Sequence, residues 1–431
     1  MQSPRVLFVN RIYPPQRGPT GRLLRDLARS FVEEGWNVSI VTTGPKAGTE
    51  RDGTITIHRT KGPDKPSMLG YPFIWLKLYR LARKAGHADL VVSMTDPPML
   101  AVLGARIAKA KKAKHLHWCQ DVYPQAFDAL GLRVPGFVRK RLEAASLQSL
   151  KSADRVIAIG RCMAKVLAAQ GLDAKKISVI PNWPDLELAH PAPQIKEGKA
   201  KTKKAEEIPT KPYAEQLKNG PKFRVLYAGN VGMAHPAETI LKAASLLEED
   251  HPEIEFVFVG DGRRIENLAR ERDNMGLGNI RFIPYQPPHK LREVMESGDV
   301  HLIVLREEAL GLMVPSKLYS ALAVGRPVIY AGPEGSEVAH ILKDFKAGSR
   351  TAPGDGKALA DAILEYRLNG DTWFAAHDGA MEAGKVLTPK ESMKAWIKRA
   401  LSVVQGKEEK PAVVVKTATK KKATKPKKKA A

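Results

Sequence analysis

The chain has 431 residues, more than one ordinary domain needs, and a prior of about 150 residues per domain predicts two or three domains. It contains no apolar run of about 18 residues, and its start leads directly into a predicted strand. We therefore expect neither a membrane-spanning helix nor a secretory signal, and we expect a cytoplasmic protein. Cys119 and Cys162 are the only cysteines, which excludes a disulfide framework, and no Cys/His cluster has the spacing of a metal site.

The net charge of +24 is unevenly distributed along the chain. Residues 407–431 hold ten Lys and two Glu, and residues 195–223 hold eight Lys and four Glu. The rest of the chain still carries about +12, which suits an anionic partner such as a phosphorylated small molecule or an anionic membrane surface. The segment 416–431 lacks core-forming residues, so we expect a disordered polybasic tail with no specific nucleic-acid role.

Short apolar, β-branched runs alternate with helical patterns along the chain, which is typical of parallel α/β sheets. In the first half, strands are predicted at 5–10, 37–43, 90–94, 115–119, 155–159 and 177–181. The same alternation resumes after a lysine-rich stretch, with strands at 224–228, 255–260, 280–284, 301–305 and 327–330. The pattern predicts two doubly wound Rossmann-like α/β domains that face each other across a cleft.

The composition also predicts where the domains divide. We place the first domain at residues 1–190, a lysine-rich linker at 191–222, and the second domain at 223–385. A C-terminal helix at 386–406 is expected to cross back to the first domain, and the polybasic tail follows at 407–431.

A glycine-containing loop follows the first strand of each half. Gly18, Thr20 and Gly21 precede an amphipathic helix, and Gly229, Asn230 and Gly232 occupy the equivalent point of the second half. Glycine lets the backbone approach a ligand closely, so both loops are candidate phosphate or sugar contacts, although a tight turn explains each equally well. Arg263, in a third loop, could reach a diphosphate or cap a surface helix.

Two predicted strands of the first half end in acidic residues. Asp121 could orient a substrate hydroxyl at the carboxyl end of its strand, whereas His117 on the same strand is more simply a core residue. Asp96 lies in the turn 95–98, which we interpret as a rigid Pro-containing turn. The segment 71–84, "YPFIWLKLYRLARK", fits either a helix packed on the sheet or one that lies on an anionic membrane.

Seven stretches of the sequence resemble the GT-B glycosyltransferases of retaining family 4, in the branch of bacterial surface-polysaccharide (O-antigen and capsule type) enzymes. These stretches are "VLFVNRIYPPQRGPTGRLLRDLARSFVEEGWNVSIVTT", "HWCQDVYPQ", "VIPNWPD", "VLYAGNVGMAHPAETILKAASLL", "FVGDGRRIENL", "NIRFIPYQP" and "VPSKLYSALAVGRPVI". The resemblance implies a nucleotide-sugar donor bound mainly to the second domain and an acceptor bound to the first. It also implies a transfer with retention that needs no metal or other cofactor.

The sequence departs from the family pattern at the expected donor site. Asn230 and His235 stand where many members carry an Arg and a Lys on the donor diphosphate, and Leu312 and Ser320 stand where many carry two glutamates. We hypothesise that Lys317, which with Ser316 opens a predicted helix, supplies the missing positive charge with help from Arg263. Ser320, Glu307 or Glu308 could replace the second carboxylate, and the residues themselves do not decide among them.

The sequence therefore predicts a metal-independent hexosyltransferase that moves a sugar from a nucleotide-diphosphate sugar to a polysaccharide or lipid-linked acceptor. We expect Lys317, Arg263 and Asp121 to act in catalysis, with Gly18, Thr20 and Gly21 on the acceptor side. The predicted donor-binding residues are Gly229, Asn230, Gly232, His235, Ser316, Ser320 and Glu308. The alternatives are a nucleotide-sugar epimerase of the same fold and a non-catalytic nucleotide-sugar-binding protein. Peripheral contact with an anionic membrane is also expected.

Overall fold

The computed structural model describes residues 3–16, 18–64, 66, 70–132, 134–189, 223–262 and 264–407. The predicted linker and all but the first residue of the predicted tail lie outside these ranges, and so does Arg263. The boundaries that the sequence predicts for the domains stay predictions.

The first half of the described chain builds an eight-stranded sheet with the order β3-β4-β2-β1-β5-β6-β7-β8. All neighbouring strands pair in parallel except β3 and β4, which are antiparallel. The strands are β1 (Arg5–Val9), β2 (Asn37–Gly44), β3 (Gly48–Asp52), β4 (Ile55–Lys61), β5 (Leu90–Ser93), β6 (Lys114–Cys119), β7 (Arg155–Ala158) and β8 (Ile177–Val179).

Helices cover both faces of this sheet, which is why its central strands are almost entirely buried and mainly apolar. They are α1 (Pro19–Glu33), α2 (Tyr71–Lys84), α3 (Leu100–Lys111), α4 (Ala126–Ala129), α5 (Gly136–Ser152) and α6 (Arg161–Ala169). Helix α1 buries Leu23, Leu24, Leu27 and Phe31, the apolar stripe that the sequence shows at helical spacing.

The second half builds a six-stranded parallel sheet with the order β11-β10-β9-β12-β13-β14. Its strands are β9 (Phe223–Ala228), β10 (Ile254–Val259), β11 (Ile280–Ile283), β12 (Val300–Val304), β13 (Val328–Ala331) and β14 (Gly348–Thr351). Its helices are α7 (Glu238–Leu247), α8 (Ile265–Met275), α9 (Leu291–Ser297), α10 (Lys317–Ala323), α11 (Glu337–Phe345), α12 (Gly356–Leu368) and α13 (Gly370–Val386).

The last helix, α14 (Pro389–Val404), returns to the first sheet as predicted. Trp396 is fully buried there, and its ring centroid lies 4.9 Å from that of Trp118 on β6. Met393, Ile397 and Val403 join the same hydrophobic core. The expectation of two Rossmann-like sheets with a crossing C-terminal helix is therefore confirmed.

Three edge or near-edge strands were not predicted. β3 reads "GTERD" and is mostly exposed, and β14 reads "GSRT" at the far edge of the second sheet. Neither carries an apolar run, because an edge strand buries little surface. β4 alternates buried and half-buried residues, which is a weaker signal than the continuous runs of the central strands.

Candidate functional site

Lys317, the first residue of α10, points its ammonium group at the loop after β9. Nζ donates hydrogen bonds to the Tyr227 hydroxyl at 2.8 Å and to the Asn230 carbonyl at 3.1 Å. It also lies 4.2 Å from the centroid of the Tyr227 ring, which adds a cation–π attraction. Among the described residues, the structure shows no partner for the third N–H of the ammonium. A ligand can therefore accept that hydrogen bond.

Burial lowers the pKa of Lys317 to about 7, because its ammonium has left bulk water. The side chain is still half-buried and not sealed from solvent. An anion that arrives beside Nζ would favour the charged form and raise this pKa. The arrangement fits a site whose positive charge is completed by its ligand.

Two glycine loops pack against each other beneath Lys317. Gly229 has a φ of 110°, and a Cβ on it would lie 3.2 Å from Cε of Lys317. Gly260 and Gly262, after β10, have φ angles of 147° and 146°, and a Cβ on either would come within 2.7 Å of the backbone of the first loop. The N–H of Val231 donates to the Asp261 carbonyl at 3.1 Å. Glycine is required here because backbone lies directly on backbone.

Gly262→Ala should displace the 229–232 loop, since a Cβ at this position would lie 2.6 Å from the Val231 carbonyl oxygen. We expect a loss of roughly 2–4 kcal/mol in the free energy of unfolding, together with weaker donor binding. The matched control is Gly276→Ala, which has a φ of 70° but no atom within 4 Å of the added Cβ. Its loss should be only about 1 kcal/mol. Equal losses for the two variants in urea unfolding would contradict this packing argument.

Asn230 lies in the 229–232 loop and His235 follows it. Neither side chain carries a positive charge. The His235 Nδ1–H faces the Val304 carbonyl at 2.7 Å, and burial, reinforced by the nearby Lys317 charge, lowers the pKa of His235 to about 3. The imidazole is therefore neutral at physiological pH. Asn230 is exposed and contributes its carbonyl oxygen, which accepts from Tyr227 and Lys317.

The remaining predicted donor residues surround the start of α10. Ser316 is the N-cap residue of α10, and its side chain makes no capping hydrogen bond. Ser320 is half-buried one turn later. Glu308 and Glu307 are exposed on the short 3₁₀ turn Glu307–Ala309 that precedes the segment 311–316. Helix α10 has seven residues, and its early Leu318 N–H already donates to the Pro315 carbonyl. The ammonium, more than the helix terminus, therefore supplies the charge.

A second group of side chains lies at the carboxyl edge of the first sheet, where β5 and β6 end. Arg11 holds Asp96 through two bonds, Nε to Oδ1 at 2.6 Å and a terminal nitrogen to Oδ2 at 2.9 Å. Burial, with the negative charge of Asp96 as the second cause, raises the pKa of Asp121 to about 7. Burial also raises the pKa of Asp96, against the Arg11 ion pair. The two carboxyl groups thus share one electrostatic environment.

Both polar and apolar side chains line the pocket that contains Asp121. Thr95 and His117 line the same pocket, and the buried Thr95 hydroxyl has no hydrogen-bond partner among the described residues. His117 is buried and hydrogen-bonds the Ser93 hydroxyl through Nδ1 at 3.0 Å, and burial lowers its pKa to about 3. This is the core histidine that the simpler interpretation of the sequence predicts.

The predicted acceptor-side glycines form a tight turn at the same edge. A Cβ on Gly21 would lie 2.8 Å from the Ile12 side chain, and one on Gly18 would lie 3.0 Å from it. The Thr20 hydroxyl is 3.4 Å from the Asn10 side-chain amide. Close packing within the chain accounts for both glycines, and their contact with an acceptor stays a prediction.

The two groups meet where the sheets face each other. Asp121 forms an isolated antiparallel bridge with Met313, and the Val122 N–H donates to the Leu312 carbonyl at 2.8 Å. Asp121 is thereby tied to a segment that reaches Lys317 four residues later. A second link joins Arg161, at the start of α6, to the buried Glu337 of α11, with Nε and Oε1 3.0 Å apart. The structure thus places the candidate acceptor and donor residues on opposite sides of one junction.

Two family models match this chain, one on each sheet. "Glycosyltransferase Family 4" matches residues 20–188, and "Glycosyl transferases group 1" matches residues 211–372. The chain belongs to the GT-B glycosyltransferases of family 4.

Two curated relatives are also named as glycosyltransferases. WbjE of Pseudomonas aeruginosa, named as a glycosyltransferase, is 26% identical over 67% of this chain and 70% of its own. WcaI of Escherichia coli (strain K12), whose name assigns it to colanic acid biosynthesis as a glycosyl transferase, is 25% identical over 79% of this chain and 86% of its own. Neither the relatives nor the solved structures named here support the epimerase alternative.

Solved structures share the fold of this GT-B glycosyltransferase at low sequence identity. Anabaena Alr3699/HepE in complex with UDP and glucose superposes with a TM-score of 0.67 at 16% identity, covering 92% of this chain and 99% of that one. Sucrose-phosphate synthase from Thermosynechococcus elongatus gives 0.71 at 16% identity, covering 94% and 99%.

Sequence reasoning missed several polar residues in and around the candidate site. Tyr227 lies within an apolar strand pattern, and nothing in that pattern marks its hydroxyl as a partner of Lys317. Asp96 was interpreted as part of a rigid turn, although its place at the end of a strand is the signal that identified Asp121. Arg264 and Arg306 pair with Glu238 at the start of α7, and Arg306 Nε also donates to the Met233 carbonyl at 2.9 Å.

The described residues contain neither a candidate membrane-spanning helix nor a candidate metal site. No helix in the described ranges is both long enough and apolar enough to cross a membrane. Within those ranges, no group of three or more His, Cys, Asp and Glu side chains is arranged to hold a metal ion. Independence from metal stays a prediction.

Proposed function

We propose that this GT-B glycosyltransferase moves a hexose, with retention and without a metal, from a nucleotide-diphosphate sugar to a polysaccharide or lipid-linked acceptor. The Lys317 ammonium carries the proposal, because it lies over Tyr227 and the 229–232 loop with one N–H left for a ligand. In a doubly wound sheet, ligands bind beyond the carboxyl ends of the strands, and that is where this loop lies.

Two findings on similar proteins support the substrate classes. HepE has been solved with UDP and with UDP-glucose, so a uridine-diphosphate sugar is the first donor to test. The name of WcaI associates it with colanic acid, which supports a saccharide acceptor of the cell envelope. We further propose that the protein works in the cytoplasm, at the inner face of the membrane.

In this proposal Lys317 stabilises the diphosphate as the bond to the sugar breaks. The departing β-phosphate gains negative charge, and the ammonium beside it lowers the energy of that state more than that of the intact donor. Asp121 accepts a hydrogen bond from the attacking acceptor hydroxyl and orients it. The proton of the attacking hydroxyl passes to an oxygen of the departing diphosphate, so the scheme needs no dedicated general base and the raised pKa of Asp121 is compatible with transfer.

A donor panel tests the proposal. Purified protein is screened by thermal shift with UDP-, GDP- and dTDP-sugars, and the stabilising donor is incubated with a membrane-lipid extract and analysed by mass spectrometry. We expect one nucleotide class to raise Tm and one extracted component to gain a hexose mass. Transfer that persists unchanged in excess EDTA supports metal independence.

The two alternatives are outcomes of the same experiment. An isomerised sugar nucleotide in the absence of acceptor would indicate an epimerase and contradict the proposal. Donor binding without transfer to any acceptor would indicate a binding protein, a result that the missing family glutamates at Leu312 and Ser320 make worth testing.

A further inference from the structure

Three large apolar side chains protrude from helices α2 and α5 of the first half of the molecule. Phe73 is 69% exposed and Leu76 is 45% exposed, both on α2, while Phe137 at the start of α5 is 67% exposed. Side chains of this size are usually buried, and exposed apolar groups that lie together mark a surface that contacts something else. We call these three residues the apolar rim.

The apolar rim lies on one side of the first sheet, at its carboxyl edge. Helices α2, α3 and α5 contact one another in series across one face. Each precedes a parallel strand and runs back along the sheet, so each begins at the carboxyl edge. Trp75 Nε1, on the first turns of α2, donates to the Pro98 carbonyl at 3.2 Å. The rim is therefore adjacent to the turn that carries Asp96, and so to the Asp121 site.

Cations continue this surface along both helices. Lys77, Arg80, Arg83 and Lys84 are exposed on α2, whose sequence has no Asp or Glu, and Lys140 and Arg141 are exposed on α5. Apolar side chains flanked by Lys and Arg are the pattern of a helix that lies in the interface of an anionic bilayer. The charge also argues against a second copy of the chain, since a two-fold dimer would place these like-charged faces together.

We propose that the apolar rim and its flanking cations dock on an anionic lipid bilayer. Phe73, Leu76 and Phe137 enter the interfacial region, and the basic residues contact lipid phosphates. The orientation brings the membrane surface next to Asp121, so that an acceptor anchored in the lipid reaches the site from the bilayer. The acceptor part of this inference rests on the proposed function, and the docking itself does not.

Vesicle binding of the full chain tests the docking. Co-sedimentation is measured with phosphatidylcholine vesicles with and without phosphatidylglycerol, at low and high salt. We expect the variant Phe73→Ser/Leu76→Ser to bind the anionic vesicles at least about tenfold more weakly than the parent. The matched control is Leu246→Ser/Leu368→Ser, which removes side chains that are 51% and 57% exposed in the second half and should bind like the parent.

A position-specific label separates docking from attraction by the polybasic tail. Both native cysteines are buried, so an environment-sensitive fluorophore can be attached selectively to Leu76→Cys or to Leu368→Cys. We expect a blue shift at position 76 and none at position 368 when anionic vesicles are added. Sedimentation with an unshifted label at 76 overturns the proposal, and so does a shift that follows protein concentration without vesicles, which would indicate self-association.

The increase in Tm that the donor causes distinguishes the docking proposal from the proposed function. Phe73→Ser/Leu76→Ser should retain the Tm increase caused by the donor, because both side chains lie on α2 of the first half, whereas Lys317 and its partners lie in the second half. Lost vesicle binding with an intact donor shift supports docking. Vesicle binding that is unchanged in this variant overturns docking and leaves the donor proposal standing.

Discussion

Lys317→Ala should lower the rate of sugar transfer by about a hundred- to a thousandfold, the usual cost of removing one group that stabilises developing charge. The ammonium is the cation that the structure places directly over the 229–232 loop, and neither Asn230 nor neutral His235 replaces it. Release of the nucleoside diphosphate measures the rate. Tyr227→Phe, which keeps the ring but removes the hydroxyl that accepts from Nζ, should cause a smaller loss.

The control for this prediction is Lys357→Ala, since Lys357 is exposed on α12 and pairs with Asp361 at the surface. It should retain the parent rate. A folded Lys317→Ala variant with the parent rate would remove Lys317 from the mechanism.

The pH dependence of donor binding gives a second view of the same residue. Because burial lowers the pKa of Lys317 to about 7, the free protein loses this positive charge as the pH rises through 7. UDP-glucose affinity should then fall by up to about tenfold per pH unit above that point, because binding must first restore the proton. UDP-glucose is the suitable probe, since its diphosphate stays fully ionised in this range. The affinity of Lys317→Ala should be lower and flat.

Asp121→Asn should make the protein more stable at pH 8 and leave its stability at pH 4 nearly unchanged. Burial and Asp96 raise the pKa of Asp121 to about 7, so folding disfavours the charged carboxylate. The penalty is absent below the unfolded pKa near 4, grows as the pH rises, and is complete above about 7. The full shift would correspond to about 4 kcal/mol, and solvent at the half-buried carboxylate reduces it to roughly 1–2 kcal/mol.

Thermal unfolding at pH 4, 6 and 8 measures this effect, and a gain of about 3–6 °C in Tm is expected at pH 8. Asp361→Asn, at an exposed position, is the control and should show no such gain. The same Asp121→Asn variant should transfer sugar more slowly, because the neutral amide oxygen is a weaker acceptor for the attacking hydroxyl than the charged carboxylate. Lower stability at pH 8 than at pH 4, relative to the parent, would contradict the assigned environment.

The sequence predicts the fold of this molecule well because its central strands are continuous apolar runs between amphipathic helices. It does not reveal β14, whose four residues lie at an edge and bury little. The candidate site likewise contains residues that the sequence identifies and residues that it does not. Lys317 and Asp121 stand out by their positions at the ends of strands and helices, whereas Tyr227 gains its role only because folding brings a strand residue under a lysine ninety positions later in the chain.

Charge in the second half shows a further limit of sequence reasoning. His235 occupies a position where the family often has a cation, but burial and the nearby Lys317 charge lower its pKa and keep its ring neutral. A residue type at a motif position does not fix its protonation state, because that state depends on groups brought together by the fold. The protonation state of Asp121 also depends on the fold, because Asp96, which pairs with Arg11, is distant from Asp121 in sequence but close to it in space.

If the donor and the acceptor bind as proposed, the bridge between Asp121 and Met313 would couple the binding of one to the binding of the other. An acceptor that shifts the end of β6 displaces the segment that leads into Lys317, and a diphosphate that fixes Lys317 restrains the end of β6 in return. Such linkage is reciprocal, so whatever factor the donor adds to acceptor affinity, the acceptor must add to donor affinity. In the proposed reaction, one short segment would thereby favour the complete ternary complex over either half-filled site.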